Sequence, residues 1–418
     1  MRGDGRPSVV GVVGLGYVGL PLAVSFADAG ARVIGVDVDR RRVEALADGR
    51  SHIEDVPDDV VAAALRGFEP TTDFGRLAEA DAIVICVPTP LTVNREPDLR
   101  PLRRAAGAIE KVLERDQLVV LESTTFPGTT TGHLRPILER SGLKAGEDFH
   151  LAFSPERVDP GRTDWTLRTT PKLLGGLTPA CADRAEALYG IVCDDVVRLS
   201  SPDHAELAKL LENIFRSVNI ALVNELAVLA DRMGLDIWEV VDAAATKPFG
   251  FMRFDPGPGM GGHCLPVDPF YLAWRAREFG LSTEFIELAG KVNHQMPAFC
   301  VERVVRALND GGLPVRGSRV ALFGVSYKAG VGDTRESPAL QIIELLRERG
   351  GDVVYHDPHV HSLPEFKLTS VPVDEALAGA DVAVIVTAHP QVDHALVERV
   401  APRLVDLRGV TRAPLRPA

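Results

Sequence analysis

The stretch from Val9 to Asp37 constrains the fold more tightly than anything else in the 418 residues. Val9–Val13 is a short, β-branched apolar run that reads as a buried strand, and Gly14-Leu-Gly16-Tyr-Val-Gly19 follows it at once. Leu20–Ala29 then has helical periodicity, and Val33–Val36 is a second strand ending on Asp37. A glycine triplet alone says little. Between a strand and a helix the three glycines do different things. Gly14 permits the tight turn, Gly16 lets backbone approach a pyrophosphate, and Gly19 lets helix and strand pack closely. The helix N-terminus favours the anion, and Asp37 is placed to hydrogen-bond ribose hydroxyls. Its charge repels a 2′-phosphate, so the expected cofactor is NAD rather than NADP. Arg42 pulls slightly the other way, since an arginine can accommodate that phosphate.

The theme of short apolar runs alternating with amphipathic stretches continues through Ala82–Val87, Leu118–Leu121 and Leu151–Phe153, the pattern of a parallel sheet covered by helices. Near Ser200 the character changes. Asp203–Ala245 holds little glycine or proline and is helical in period, with Ser201 or Asp203 as N-cap. Lys247–Pro269 is rich in both and has no period, the mark of a loop that is either functional or disordered. A second helical stretch, Pro269–Leu308, follows. The opening theme then returns: strands at Arg319–Phe323, Asp352–His356 and Val382–Val386, with a helix at Pro338–Arg349. The expected fold is therefore α/β, with two doubly wound Rossmann-like domains joined by a central helical region. Its divisions fall at 1–200, 201–312 and 313–418.

Net charge is −12, which disfavours nonspecific binding to nucleic acid or an acidic membrane surface. Arg2 and Arg6 before the apolar run to Ala27 imitate a secretory signal, but the glycines interrupt it and have the better explanation above. No other stretch approaches ~20 unbroken apolar residues, so no membrane span is expected. Cys86, Cys181, Cys193, Cys264 and Cys300 are scattered and odd in number, with no zinc spacing. Neither a disulfide framework nor a metal is indicated, and a cytoplasmic location is expected.

Of the five, Cys264 stands apart. It lies in Gly257-Pro-Gly-Met-Gly-Gly-His-Cys-Leu-Pro-Val-Asp268, where glycines let a substrate approach the sulfur and backbone amides can stabilise an anion. The other four sit in apolar surroundings that suit a small core residue. His263 is adjacent in the chain, and neighbours seldom point at each other, so no dyad is assigned.

Six motifs occur in order: the glycine turn with Asp37, Glu122-Ser-Thr-Thr-Phe-Pro-Gly128, Phe153-Ser-Pro-Glu-Arg157, Lys209-Leu-Leu-Glu-Asn213, Gly261-Gly-His-Cys-Leu-Pro-Val-Asp268, and Ser326-Tyr-Lys328 through Arg335-Glu-Ser-Pro338. Together they resemble the UDP-glucose/GDP-mannose dehydrogenase family nearly end to end. The resemblance implies oxidation of a UDP-sugar C6 alcohol to the carboxylate, with two NAD per turnover. It makes Cys264 the nucleophile, Lys209 the stabiliser of oxyanions, and Asp268 and Asn213 its companions, with Thr124 and Glu156 around water and nicotinamide. It implies cofactor contacts at Tyr17, Val18, Thr89, Thr124 and Arg335 besides the glycine turn, and substrate contacts at Glu156, Arg157, Lys209, Asn213, Gly261 and Lys328. The helix near 207–232 resembles the family's dimer-forming helix, so a homodimer or higher homo-oligomer is expected.

Two departures bear on specificity. Where many members carry a second glutamate, four residues after Glu156, this chain has Pro160, so the base that activates water is not identified. The arginine that anchors the sugar in the UDP-glucose enzymes is not at its usual spacing, and Lys247 and Arg253 are the substitutes to hand. The Ser-Pro-Glu-Arg form and Lys247-Pro-Phe-Gly-Phe-Met252 look more like enzymes of UDP-N-acetylhexosamines, the gluco epimer first, with UDP-N-acetylmannosamine and UDP-glucose as alternatives. A β-hydroxyacid dehydrogenase or a non-enzymatic NAD-binding protein would share the opening fold. Neither needs Lys209, Cys264 and Asp268 together.

Overall fold

The computed structural model describes residues 7–92, 94–159, 164–262 and 267–412. They fall into two compact units: one contains the chain to Glu212 and Phe270–Leu281, the other Asn213–Pro269 and everything from Ser282.

In the first unit, eight strands form one sheet in the order β3-β2-β1-β4-β5-β6-β7-β8. They are β1 (Val9–Val13), β2 (Arg32–Val36), β3 (Phe68–Thr71), β4 (Ala82–Ile85), β5 (Leu118–Leu121), β6 (His150–Phe153), β7 (Lys172–Gly176) and β8 (Val196–Leu199). All neighbours pair parallel except β6 and β7. The strand order reverses between β1 and β4, with β2 and β3 laid down on one side and β5 onward on the other, and the crevice beyond the C-terminal ends at such a switch is the usual place for a ligand. The central strands β1, β4 and β5 are short and apolar on both faces, as helices covering both sides require. Val10, Val12, Val33, Val84 and Val120 pack on one side with Leu22 and Phe26 of the helix Gly19–Asp28 and with Tyr189.

The second unit repeats the scheme in smaller form. Its sheet runs β10-β9-β13-β14, built from β9 (Arg319–Phe323), β10 (Asp352–His356), β13 (Val382–Ile385) and β14 (Leu404–Asp406). A small hairpin of β11 (Ser362–Leu363) and β12 (Leu368–Thr369) stands beside it. Residues alternate between faces with period two: Val320 and Leu322 join the core under the helices Pro338–Glu348 and Glu284–Asp310, while Ala321 and Phe323 join the opposite one. The repetition extends to hydrogen bonds. Gly14 N–H donates to Val36 O and Leu15 N–H to the Asp37 carboxylate; Gly324 N–H donates to His356 O and Val325 N–H to the Asp357 carboxylate.

The expected strands all form, with ends moved by one or two residues. Six others, β3, β7, β8, β11, β12 and β14, are additions that the sequence pattern does not announce. The single helical stretch expected over 203–245 divides into Pro202–Met233 and Ile237–Ala245 at Gly234, whose φ of +71° ends the first helix. That expected from Pro269 divides into Asp268–Glu278 and Glu284–Asp310 at Gly280, with φ +70°.

Pro202–Met233 is amphipathic in an inverted sense. Its buried face carries Glu206, Lys209, Asn213, Ser217 and Asn224, while Phe215, Leu222, Leu226, Leu229 and Met233 are exposed. Among the described residues it is the one helix long and apolar enough, by length and composition, to cross a membrane. A buried carboxylate, ammonium and two amides on one face are what a core helix of a polar site would carry, and costly in hydrocarbon.

Gly324 is irreplaceable on geometric grounds. Its φ is +81°, and a methyl group there would lie 2.1 Å from the Thr387 carbonyl oxygen. Gly324→Ala should therefore cost about 2 kcal/mol or more of stability, read by urea unfolding. An unfolding curve matching wild type would contradict this account of the turn.

Candidate active site

The first unit holds the cofactor turn. Gly14 has φ +92°, and a Cβ there would meet the Cys86 carbonyl oxygen at 2.7 Å; one at Gly19 would lie 1.8 Å from Gly14 O. The chain's own packing thus accounts for both glycines. It does not account for Gly16, where a Cβ would find nothing within 4 Å. The remaining reason for glycine there is close approach by a group from outside. The helix Gly19–Asp28 begins with no side-chain cap and no acidic residue in its first turn, so its leading amides suit an anion. Tyr17 is exposed and Val18 half-buried beside them.

Asp37 is buried at the end of β2. Its carboxylate accepts from Leu15 N–H at 2.8 Å, from Asp39 N–H at 2.9 Å and from Arg42 at 2.8 Å. Arg42, the residue expected to weaken the preference for NAD, is engaged by Asp37 itself. On the opposite side of the crevice the Thr89 carbonyl accepts from the Tyr271 hydroxyl, 2.5 Å away. These residues fit the dinucleotide that the turn suggests.

The loops after β5 and β6 bring the next group together. Thr124 lies half-buried in the turn following Glu122, and Glu156 follows β6. The Glu156 carboxylate is fixed at one oxygen by the amides of Arg157 (2.7 Å) and Val158 (2.5 Å). Both loops are tied to the helix that carries Lys209. Glu206 accepts from Gly128 N–H and from the amide and hydroxyl of Thr130, at 2.7 to 2.8 Å. Arg157 pairs with Glu212 at 2.7 Å and donates to Pro171 O. Arg157, expected at the substrate, is thereby also a clamp between strand end and helix. Lys209 is buried, and its charge reaches Glu156. Burial pushes Glu156 up, but Lys172, the two amides and Lys209 more than offset this and hold its carboxyl below the usual range.

Sequence reasoning misses Lys172, Glu122 as a partner, and Glu206. Lys172 opens β7 with its side chain almost sealed, in contact with Glu122 and 3.6 Å from Glu156. The available signal is a lysine heading the apolar run Leu173-Leu174-Gly175-Gly176. A charge inside a buried strand needs a partner.

The second unit holds the rest. Asn213, fully buried one helical turn beyond Lys209, donates to the Asp268 carboxylate and accepts from Arg216 at 2.6 Å. Asp268 is no ordinary turn residue: it is buried and opens the helix Asp268–Glu278. Gly261 is hemmed in, since a Cβ would come 2.6 Å from the Tyr327 side chain and 2.9 Å from Glu336 O. Gly262 N–H donates to Arg335 O, and the Arg335 guanidinium is held by Asp333. Lys328 follows in the same loop, its carbonyl bound by the Ser326 hydroxyl at 2.8 Å. Gly257 N–H donates to Asn224, which in turn donates to Asn293, so the start of the glycine-rich loop is fastened to two helices. Cys264 and Pro160 lie outside the described residues. The other cysteines are all buried free thiols. Burial raises Cys86 strongly, Cys193 to about 11 and Cys300 to about 12. Cys181 differs: burial raises it too, but His150, Thr178 and the Leu151 amide bring it down to about 7. The Cys181 side chain is nonetheless fully enclosed. Among the described residues no cluster could hold a metal.

A dinucleotide turn, with a buried lysine and carboxylate beyond its strand ends, defines an NAD-dependent oxidoreductase. Three models of one family match the chain in order: the NAD binding domain over 8–192, the central domain over 203–295 and the UDP binding domain over 321–413. The chain is 37% identical to the UDP-N-acetyl-D-mannosamine dehydrogenase of Pyrococcus horikoshii, covering 91% of this chain and 90% of that one. It is 38% identical to the UDP-N-acetyl-D-glucosamine 6-dehydrogenase of Pseudomonas aeruginosa, with the same coverage. Its fold is similar to the solved structure of a UDP-D-ManNAc dehydrogenase from Pyrococcus horikoshii, with TM-score 0.89 and 35% identity over 97% of this chain and 96% of that one. The chain belongs to the UDP-glucose/GDP-mannose dehydrogenase family and is an NAD-dependent nucleotide-sugar dehydrogenase.

Asp37 sets a test of cofactor choice. Wild type should favour NAD over NADP in kcat/KM by at least about tenfold, or 1.4 kcal/mol. Asp37→Ser removes the repelling charge and frees Arg42, so the ratio should narrow. Equal use of both cofactors by wild type would refute this role of Asp37.

Proposed function

We propose that the protein oxidises the C6 alcohol of a UDP-N-acetylhexosamine, UDP-N-acetylglucosamine first, to the uronic acid through a covalent intermediate on Cys264. The observation that carries the reading is the buried chemistry of one helix. Lys209 and Asn213 stand one turn apart on Pro202–Met233, with Asp268 hydrogen-bonded to Asn213 and the Lys209 charge acting on Glu156.

In this reading Lys209 supplies positive charge where the C6 oxygen becomes anionic, first as the alcohol loses its proton and again as water attacks. NAD would supply the hydride acceptor, with one molecule bound and exchanged for each of the two hydrides that the oxidation releases. The Cys264 thiolate adds to the C6 aldehyde, giving a thiohemiacetal, and loss of the second hydride leaves a thioester. Water attacks the thioester carbon, the carbon–sulfur bond breaks, and the products are the carboxylate and the regenerated thiolate. Glu156 is the candidate base for that water, Thr124 its neighbour in the turn after β5, and the Asn213–Asp268 pair an aid in orienting the site. Gly261 and Lys328 would contact substrate and Arg335 cofactor. Residues 1–200, 201–312 and 313–418 would serve cofactor binding, catalysis with dimerisation, and UDP-sugar binding.

The N-acetyl assignment is supported by Ser154-Pro-Glu-Arg157 and Lys247–Met252, and by the two relatives named above, both enzymes of N-acetylated sugars by name. The exposed stripe of Phe215, Leu222, Leu226, Leu229 and Met233 supports a homo-oligomer formed by covering it with a second copy. A cytoplasmic location accords with four free thiols among the described residues.

A panel of UDP-glucose and UDP-N-acetylated gluco, manno and galacto sugars tests the substrate directly. The N-acetylated gluco form should give the highest kcat/KM and UDP-glucose the lowest, since an acetamido pocket leaves polar groups unpaired with the smaller sugar. A preference for UDP-glucose would refute the substrate and leave the family intact.

The covalent step has its own test. Cys264→Ala should retain the first hydride transfer but lose acid formation by about a thousandfold or more. Cys264→Ser should accumulate a sugar ester visible by intact-protein mass spectrometry. Substitution of Cys86, Cys181, Cys193 or Cys300 should leave the chemistry in place. Near-normal acid production by the alanine variant would remove Cys264 from the mechanism.

A further inference from the structure

Two carboxylates share a single lysine inside the first unit. The Lys172 ammonium contacts the Glu122 carboxylate and lies 3.6 Å from the second oxygen of Glu156. It also sits 5.0 Å above the Tyr189 ring, whose hydroxyl donates to the other Glu122 oxygen at 2.7 Å. The arrangement is lopsided. The Glu122 side chain is completely sealed and Lys172 nearly so, whereas Glu156 retains 19% of its side-chain exposure.

A buried ion pair serving stability alone would be complete with Glu122 and Lys172, and even then desolvation would cancel much of its attraction. Adding a second carboxylate leaves the cluster one negative charge in excess. That excess is tolerable only on the member with access to solvent, which is Glu156. One Glu156 oxygen is fixed by the amides of Arg157 and Val158, so the oxygen near Lys172 is the one free to take a proton. We propose, resting on the function assigned above, that Lys172 is a positioning residue for the reaction: anchored by Glu122 and Tyr189, it holds the free oxygen of Glu156 as the base that activates the hydrolytic water.

The other charges around Glu156 do not duplicate this role. Lys209 acts from the helix, where it serves the substrate oxygen. Arg157 is directed to Glu212, and Cys86 and Cys193 are protonated thiols, raised by burial. Burial raises the Glu122 carboxyl, and Glu156 adds to this, while Lys172 itself is raised by the two carboxylates in spite of its burial. The ammonium is therefore the persistent charge of the cluster.

The test is titration of Glu156 by carboxyl ¹³C NMR, its resonance assigned by disappearance in Glu156→Gln, with no substrate present. Lys172→Met should raise the Glu156 midpoint by about one unit or more. Because Lys172→Met strands Glu122, the double variant Lys172→Met/Glu122→Gln is compared too: it should still raise the midpoint, by less than Lys172→Met does, because the repulsion from Glu122 is removed with the attraction of the closer Lys172. Lys172→Arg should titrate close to wild type. The acidic limb of acid formation from the corresponding UDP-sugar aldehyde should move with the NMR midpoint, costing about tenfold in kcat on that limb. An unchanged midpoint in the double variant, or its failure to fold, would overturn the proposal by assigning Lys172 to stability alone. If no UDP-sugar is oxidised by wild type while the midpoint still moves, the assigned function fails and the control of Glu156 by Lys172 stands.

Discussion

A charged group that cannot reach water must find its partner inside the protein, and the first unit is organised around one such obligation. Lys172 enters through β7, Glu122 leaves β5, Glu156 leaves β6 and Tyr189 closes a helix. None of the four can move without stranding another, so the ends of three strands are held in register by electrostatics as well as by the sheet. Removing Lys172 would leave the sealed Glu122 carboxylate unpaired, at a cost of about 3–5 kcal/mol. This interdependence gives the loops beyond the strands, where Thr124 and Glu156 reside, a rigid footing that loops ordinarily lack.

The helix Pro202–Met233 answers the same obligation from another direction. Glu206, Lys209 and Glu212 each engage or reach a strand-end loop, and Asn213 engages Asp268. A helix with only apolar residues on its inner face would have made a better core and no site. Here Leu210, Ile214 and Val223 share the buried face with the polar residues while a second set of large apolar residues goes outward, which explains why its composition alone resembles a membrane span.

The glycine turn with Asp37 is legible in the sequence because its demands are local: each residue answers to neighbours within the same strand–turn–helix. The long helices and the principal strands are legible from period. β3, β7, β8 and β14 are not, since they are short or carry Pro70, Lys172, paired glycines or Arg198, and three of them lie at sheet edges. The paired glycines have a long-range cause: a Cβ on Gly175 would lie 2.2 Å from Ser201 O and one on Gly176 2.4 Å from Ala182 N. Lys172 and Glu122 are 50 residues apart, and no period links them. Lys209, Asn213 and Asp268 stand out only through family resemblance, because a lysine on a helix and an Asp-Pro turn are unremarkable by themselves.

The two sheets begin with the same turn and put an aspartate at the same place, yet they treat it differently. Asp37 accepts from two amides and an arginine. Asp357 accepts from the amides of Val325, Ser326, His359 and Val360 and contacts His389 as well. With so many donors it has no lone pair left for a ribose diol, and Ser326 stands where the first turn has its open glycine. The second turn is thereby insulated from the adenosine half of a dinucleotide. One scaffold used twice can thus serve a chain that must tell two nucleotides apart, because the second turn differs from the first at both Ser326 and Asp357.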